Sequence, residues 1–233
     1  MQKKYAALVA AAIVVVALAG CSSTTGSTTA GSTTGGSSSA GSATTSTSPA
    51  KTSWYDTTYG TFTPVTTTGT SDTVIPLPAG AKGGIITATY TGASNFSIVL
   101  LDKSNQPTID APVNVIGNYS GVTGFGFASL GNPGTQLQVS GQGTWSITVA
   151  PVSSAQAKTP ASGTGDSVFL YNGAATTWSL TGAGTGNFNV IEYSANPMPA
   201  INVNTIGAYK GKVPVDAGPA VVVIGADGAW TIG

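Results

Sequence analysis

The sequence predicts an all-β protein: two tandem antiparallel β-sandwich, jelly-roll-like modules that follow a signal peptide and a disordered Ser/Thr/Gly-rich linker. Three observations lead there. Beyond Ala50, short runs of β-branched and aromatic residues alternate with Gly, Pro and Asn, the punctuation of strands and turns. Blocks of the first half recur in the same order in the second half, the mark of an internal duplication. No stretch after Ala50 keeps a three- or four-residue apolar period without Gly or Pro interrupting it, so no helix is expected. The expected boundaries are residues 1–20 for the signal peptide, 21–52 for the tether, 53–150 for the first module, 151–162 for a linker and 163–233 for the second module.

The N-terminus reads as an address. Lys3 and Lys4 precede fourteen uncharged residues, Ala6 to Ala19, which match the basic and apolar regions of a secretory signal. A spanning helix needs about twenty such residues. The run ends in Leu18-Ala19-Gly20-Cys21, which resembles the lipobox of prokaryotic lipoproteins. That resemblance implies transfer of diacylglycerol to the Cys21 sulfur, cleavage before Cys21, and acyl chains such as palmitate at the mature N-terminus. Two chains at about 0.8 kcal/mol per buried methylene anchor a protein stably where one does not. The expected location is therefore the outer face of the cell membrane, with the membrane itself as a partner through Cys21.

Ser22 to Ala50 contains only Ser, Thr, Gly, Ala and one Pro. It has almost nothing to bury against the entropy of ordering, so a flexible tether is expected. At roughly 5–6 Å times the square root of its 29 residues, its root-mean-square span is on the order of 30 Å.

The repeat is explicit. Gly69-Thr70-Ser71-Asp72 matches Gly163-Thr164-Gly165-Asp166, and Asn95-Phe96-Ser97-Ile98 matches Asn187-Phe188-Asn189-Val190. The stretch from Val113 to Gly121 matches Val203 to Gly211, and Gly143 to Ile147 matches Gly228 to Ile232. The offset shrinks from 94 to 92, 90 and 85, so the second copy has shorter loops. Strands are expected at Ile85–Tyr90, Phe96–Leu101, Leu137–Val139 and Trp145–Val149, then at Val168–Tyr171, Trp178–Leu180, Phe188–Tyr193, Ala220–Ile224 and Trp230–Ile232. Trp145 and Trp230, repeated in both copies, are the expected core anchors. The combination Gly-x-x-Asp, Asn-Phe, Val-Asn-x-Ile-Gly-x-Tyr-x-Gly and Gly-x-Trp-x-Ile resembles a β-sandwich module of exported prokaryotic proteins. The resemblance implies fold and location and supplies no catalytic residue.

Composition excludes several chemistries. Charged residues are 7% of the chain, the formal charge is zero, the basic residues are all Lys, and Arg and His are absent. Bidentate recognition of phosphate and neutralisation of nucleic acid therefore have no basis. Cys21 is the sole cysteine, so no internal disulfide forms and a zinc site has no ligand set. Without His, only Ser–Lys or carboxylate catalysis remains. The acids available for a carboxylate pair are Asp102, Asp110, Glu192, Asp216 and Asp227, none of which recurs between the copies. No metal, cofactor or enzymatic activity is expected.

Asp72 and Asp166 are weighed as calcium ligands against strand-start residues accepting backbone N–H bonds, and the second reading is preferred for want of further acids nearby. Asn114 and Asn204 are expected in turns with Gly117 and Gly207. The expected role is a non-catalytic, structural or interaction role in the cell envelope. The alternative is binding of a cell-wall or surface glycan by exposed aromatics, with Trp178, Tyr171, Tyr119 and Tyr209 as candidates.

Overall fold

The computed structural model describes residues 52–127, 133–158 and 161–233. Cys21, the expected signal peptide and residues 21–51 of the expected tether lie outside the described residues. The first sandwich contains β1 (Val65–Gly69), β2 (Thr73–Pro76), β3 (Gly84–Thr91), β4 (Asn95–Leu101), β5 (Val113–Ile116), β6 (Tyr119–Phe125), β7 (Gln136–Ser140) and β8 (Thr144–Ala150). The second contains β9 (Ala161–Thr164), β10 (Ser167–Tyr171), β11 (Thr176–Gly182), β12 (Asn187–Tyr193), β13 (Ala200–Ile206), β14 (Tyr209–Val215), β15 (Ala220–Gly225) and β16 (Ala229–Ile232).

The first pair of sheets has the orders β1-β8-β3-β6 and β2-β7-β4-β5, and every pairing is antiparallel. The second pair has the orders β9-β16-β11-β14 and β10-β15-β12-β13. With the strands of the second unit renumbered from one, the two arrangements are identical. Each is an eight-stranded jelly roll, whose chain alternates between two facing sheets.

Each sandwich has its own core. Ile86, Tyr90, Phe96, Ile98, Leu137 and Trp145 lead the first, and Phe169, Tyr171, Trp178, Leu180, Phe188 and Trp230 the second. Both expected anchors are 2% exposed. Their indole nitrogens donate to the Ser71 and Gly165 carbonyls at 3.1 and 2.9 Å, equivalent positions in the two copies. Each ring lies on a glycine of the opening strand: a Cβ at Gly69 would sit 2.2 Å from the Trp145 ring, and one at Gly163 2.5 Å from that of Trp230. Truncating a buried Trp of this kind costs about 3–5 kcal/mol.

Two expectations are corrected. A short helix, α1 (Trp54–Tyr59), forms before the first strand, with the Ser53 Oγ accepting the Asp56 N–H at 3.2 Å and donating to its carboxylate at 2.7 Å. This reciprocal cap and the burial of Tyr59 sustain a helix too short to show an apolar period. It ends at Gly60, whose φ of +85° and close approach to the Gly80 carbonyl exclude a side chain. Asn114 and Asn204 are strand residues of β5 and β13, paired with Ser97 and Asn189, rather than turn residues. The corner that carries the chain from one sheet to the other is made by Gly117 and Gly207 alone, at φ +90° and +88°.

A third apolar cluster joins the sandwiches. Ile85, Val122 and Ala150 on the first meet Val168, Leu170, Val221 and Val223 on the second. Residues 151–158 are not an open connector: Val152, in the 3-10 turn Val152–Ser154, and Ala155 are buried in this cluster. α1 closes its side through Tyr59, and Trp54 Nε1 donates to the Pro219 carbonyl at 2.8 Å. Across the junction, Val122 N donates to the Asp166 carbonyl at 3.0 Å.

Candidate functional site

Beside that junction the two sandwiches leave a cleft of about 660 Å³. Its first wall is the β5–β6 corner with Asn114, Ile116, Asn118 and Tyr119. Its second wall comes from the turn before β10, the start of β12 and the β15–β16 turn, with Asp166, Asn187, Asn189 and Asp227. Strand pairing places these side chains: Asn114 is opposite Ser97 on the rim strand β5, and Asn189 is opposite both Asn204 and Gly225.

Hydrogen bonds from the backbone orient several of these groups. The Asn118 Oδ1 accepts Gly92 N–H at 3.0 Å and the Asn189 Oδ1 accepts Gly225 N–H at 3.2 Å. Each amide nitrogen remains as a donor. Asp166 bridges the sandwiches, accepting Ala226 N–H at 3.0 Å through Oδ1 and the Tyr119 hydroxyl at 2.7 Å through Oδ2. Burial raises the Asp166 carboxyl, against the lowering effect of those two donors. Burial, and then the Asp166 charge, push the Tyr119 phenol well above its ordinary range, so it stays a donor. Asp227 accepts Gly186 and Thr185 N–H at 2.8 and 3.1 Å, and these bonds, Gly186 first, hold its carboxyl below the usual range.

The four aromatics considered for stacking on a glycan separate in space. Trp178 and Tyr171 are 3% and 2% exposed, pack edge to face at 5.0 Å and belong to the core of the second sandwich, so neither presents a face to a sugar. Trp178 stands where the first copy has Ile86, and the Tyr171 hydroxyl donates to the Ala174 carbonyl. Tyr119 and Tyr209 are half-buried and lean on Phe96 and Phe188 at 6.1 and 5.9 Å. Of the four, only Tyr119 lines the cleft.

The strand-opening aspartates act on the backbone. Asp72 Oδ1 accepts Gly141 N–H at 2.9 Å, as Asp166 accepts the equivalent Ala226 N–H. Among the other carboxylates, Asp102 accepts Ser104 and Gln106 N–H at 2.8 and 3.0 Å, and Asp110 accepts Gly126 N–H at 2.8 Å. Glu192 is buried beside Asn202, whose Nδ2 lies 3.4 Å away. Burial raises its carboxyl, opposed by the Asn202 amide and the Asp216 N–H. Among the described residues no three of His, Cys, Asp and Glu come together as a metal-binding group.

The cleft residues Asn118 and Asn189 lie outside the candidates that the sequence offers, and Asp227 enters there only as an unrepeated acid, because all three are where the copies differ. Their counterparts are Ala208, Ser97 and Gln142. Against known proteins, the sequence matches no family model and no curated sequence.

Proposed function

We propose that this chain is an exported, non-catalytic lipoprotein with a structural or interaction role, which holds a rigid two-sandwich body at the outer face of the cell membrane. The single observation that carries the reading is Leu18-Ala19-Gly20-Cys21 at the end of a fourteen-residue apolar run preceded by Lys3 and Lys4. Diacylglycerol on the Cys21 sulfur supplies the anchor and Ser22 to Ala50 the spacer. The apolar junction supports the rest of the proposal, because it makes the two modules one body with fixed outward faces rather than two independently tumbling domains.

The test is the mass and partition of the processed protein. Membrane extracts of cells expressing the parent chain are expected to yield a species that begins at Cys21 and carries a diacylglyceryl group. Cys21→Ser is expected to leave the membrane fraction and lose that processing. An equally membrane-bound Cys21→Ser protein with unchanged processing overturns the proposal.

A further inference from the structure

We propose that the cleft at the junction is a binding site for an uncharged, polyhydroxylated ligand, specifically a short stretch of neutral glycan. Its volume of about 660 Å³ falls within the roughly 300–1,000 Å³ of small-molecule sites.

The chemistry of the walls selects the ligand class. Asn118 and Asn189 have their carbonyl oxygens held by backbone N–H groups, which turns each amide into an oriented donor. Asn114 and Asn187 are exposed on the two walls and offer both a donor and an acceptor each. A vicinal diol, which donates and accepts at adjacent oxygens, satisfies such groups in pairs. Ile116, 83% exposed, and Val223 supply apolar surface for the C–H face of a ring. An anionic ligand is disfavoured, because no Lys lines the cleft while Asp166 and Asp227 do. A cation is disfavoured as well: both Asp166 oxygens are already engaged, and Asp227 Oδ2 accepts two backbone N–H groups.

Duplication supplies an independent argument. Three polar groups of the cleft exist only in the copy that contributes to it: Asn118 replaces the Ala208 type, Asn189 the Ser97 type, and Asp227 the Gln142 type. Asn118 is contributed by the first sandwich, Asn189 and Asp227 by the second, and all three line the cleft beside the junction. The other copy builds the same jelly roll with different side chains at these positions.

The detergent-solubilised full chain would be titrated with short neutral gluco-, manno- and galacto-oligosaccharides, with sulfated forms as charged controls, and followed by saturation-transfer NMR. Saturable binding of at least one neutral series is expected. Asn114→Ala or Asn187→Ala should weaken it on the order of tenfold, the loss of one well-placed hydrogen bond. Gln138→Ala, at an exposed position on the free outward sheet of the first sandwich, should leave it unchanged. Absence of saturation with every neutral series overturns the proposal; so does tighter binding of the sulfated forms, or an equal loss in Gln138→Ala and Asn114→Ala. Cys21→Ser is expected to bind as the parent does, so failure of the anchor and failure of the cleft are read separately.

Discussion

The two sandwiches fold alike yet present opposite outer faces. Where the second sandwich carries Val168, Leu170, Val221 and Val223 on its outward sheet, the first carries Val74, Pro76, Gln136 and Gln138 at the same register positions. Conversely, Ile85 and Val122 of the first sandwich correspond to Thr177 and Lys212 of the second. Only one apolar face of each copy survives, and the two survivors meet at the junction. The inward positions keep both copies folding as jelly rolls, whereas the outward positions decide which face associates. Had both outward faces of each copy stayed apolar, the head-to-tail contact would repeat between molecules as an open, heterologous assembly. Gln, Pro and Lys at the free faces remove the surface that such growth would bury.

That contrast breaks most severely if the second sandwich is given the first one's residue at the junction. Val221 is fully buried, and Val221→Gln installs the amide found at Gln136. An unpartnered buried amide and the lost packing together cost about 2–4 kcal/mol. The parent should unfold in one calorimetric transition and the variant in two, with the junction no longer coupling the sandwiches. A single transition at the parental melting temperature would show that the apolar junction does not join them energetically.

Legibility in the sequence follows the same division between inside and outside. The nine segments read as strands are the eight central strands and β10. Central strands have a neighbour on each side and a regularly buried face, as in the alternation of Gly84–Thr91. The seven other strands, from the Thr-rich Val65–Gly69 to the Lys-bearing Tyr209–Val215, are all edges, paired on one side only. β10 is the edge that could be read because the junction buries its second face. Aromatic identity misled at the site for a related reason. Trp178 and Tyr171 lack counterparts in the first copy, which suggested a special surface role, but they fill core volume occupied there by Ile86 and Leu77.

Tyr119 and Tyr209 sharpen the comparison further, since they are one repeated residue in two settings. Tyr119 donates to a half-buried carboxylate across the junction, while the Tyr209 hydroxyl has no hydrogen-bond partner among the described residues. Tyr119→Phe removes a bond to a charged acceptor and leaves Asp166 with a single donor, at a cost of about 2 kcal/mol. Tyr209→Phe should be neutral within about 0.5 kcal/mol. Chemical denaturation of both variants measures the difference, and equal losses would mean that the Tyr119–Asp166 bond adds nothing to the junction.

The smallest expected effect concerns Glu192, a buried carboxyl at an inward-facing position of the second sandwich. Glu192 pairs with Val222 as Leu100 pairs with Leu137, so a carboxyl in the second copy holds a leucine's position in the first. Burial raises the Glu192 carboxyl, and the folded chain therefore holds the proton more tightly than the unfolded chain, whose Glu titrates near about 4.3. Between that value and the folded-state pKa the native state binds more protons, so this group makes stability fall as pH rises, and the full penalty persists above the window. Glu192→Leu, the first copy's own solution, should raise stability at neutral pH by about 1 kcal/mol, net of the lost contact with Asn202. The gain should shrink as pH is lowered towards about 4, where the parental carboxyl is protonated in both states. A gain that does not vary with pH would assign the effect to packing alone, and a loss at neutral pH would make the Glu192–Asn202 contact the stronger contribution.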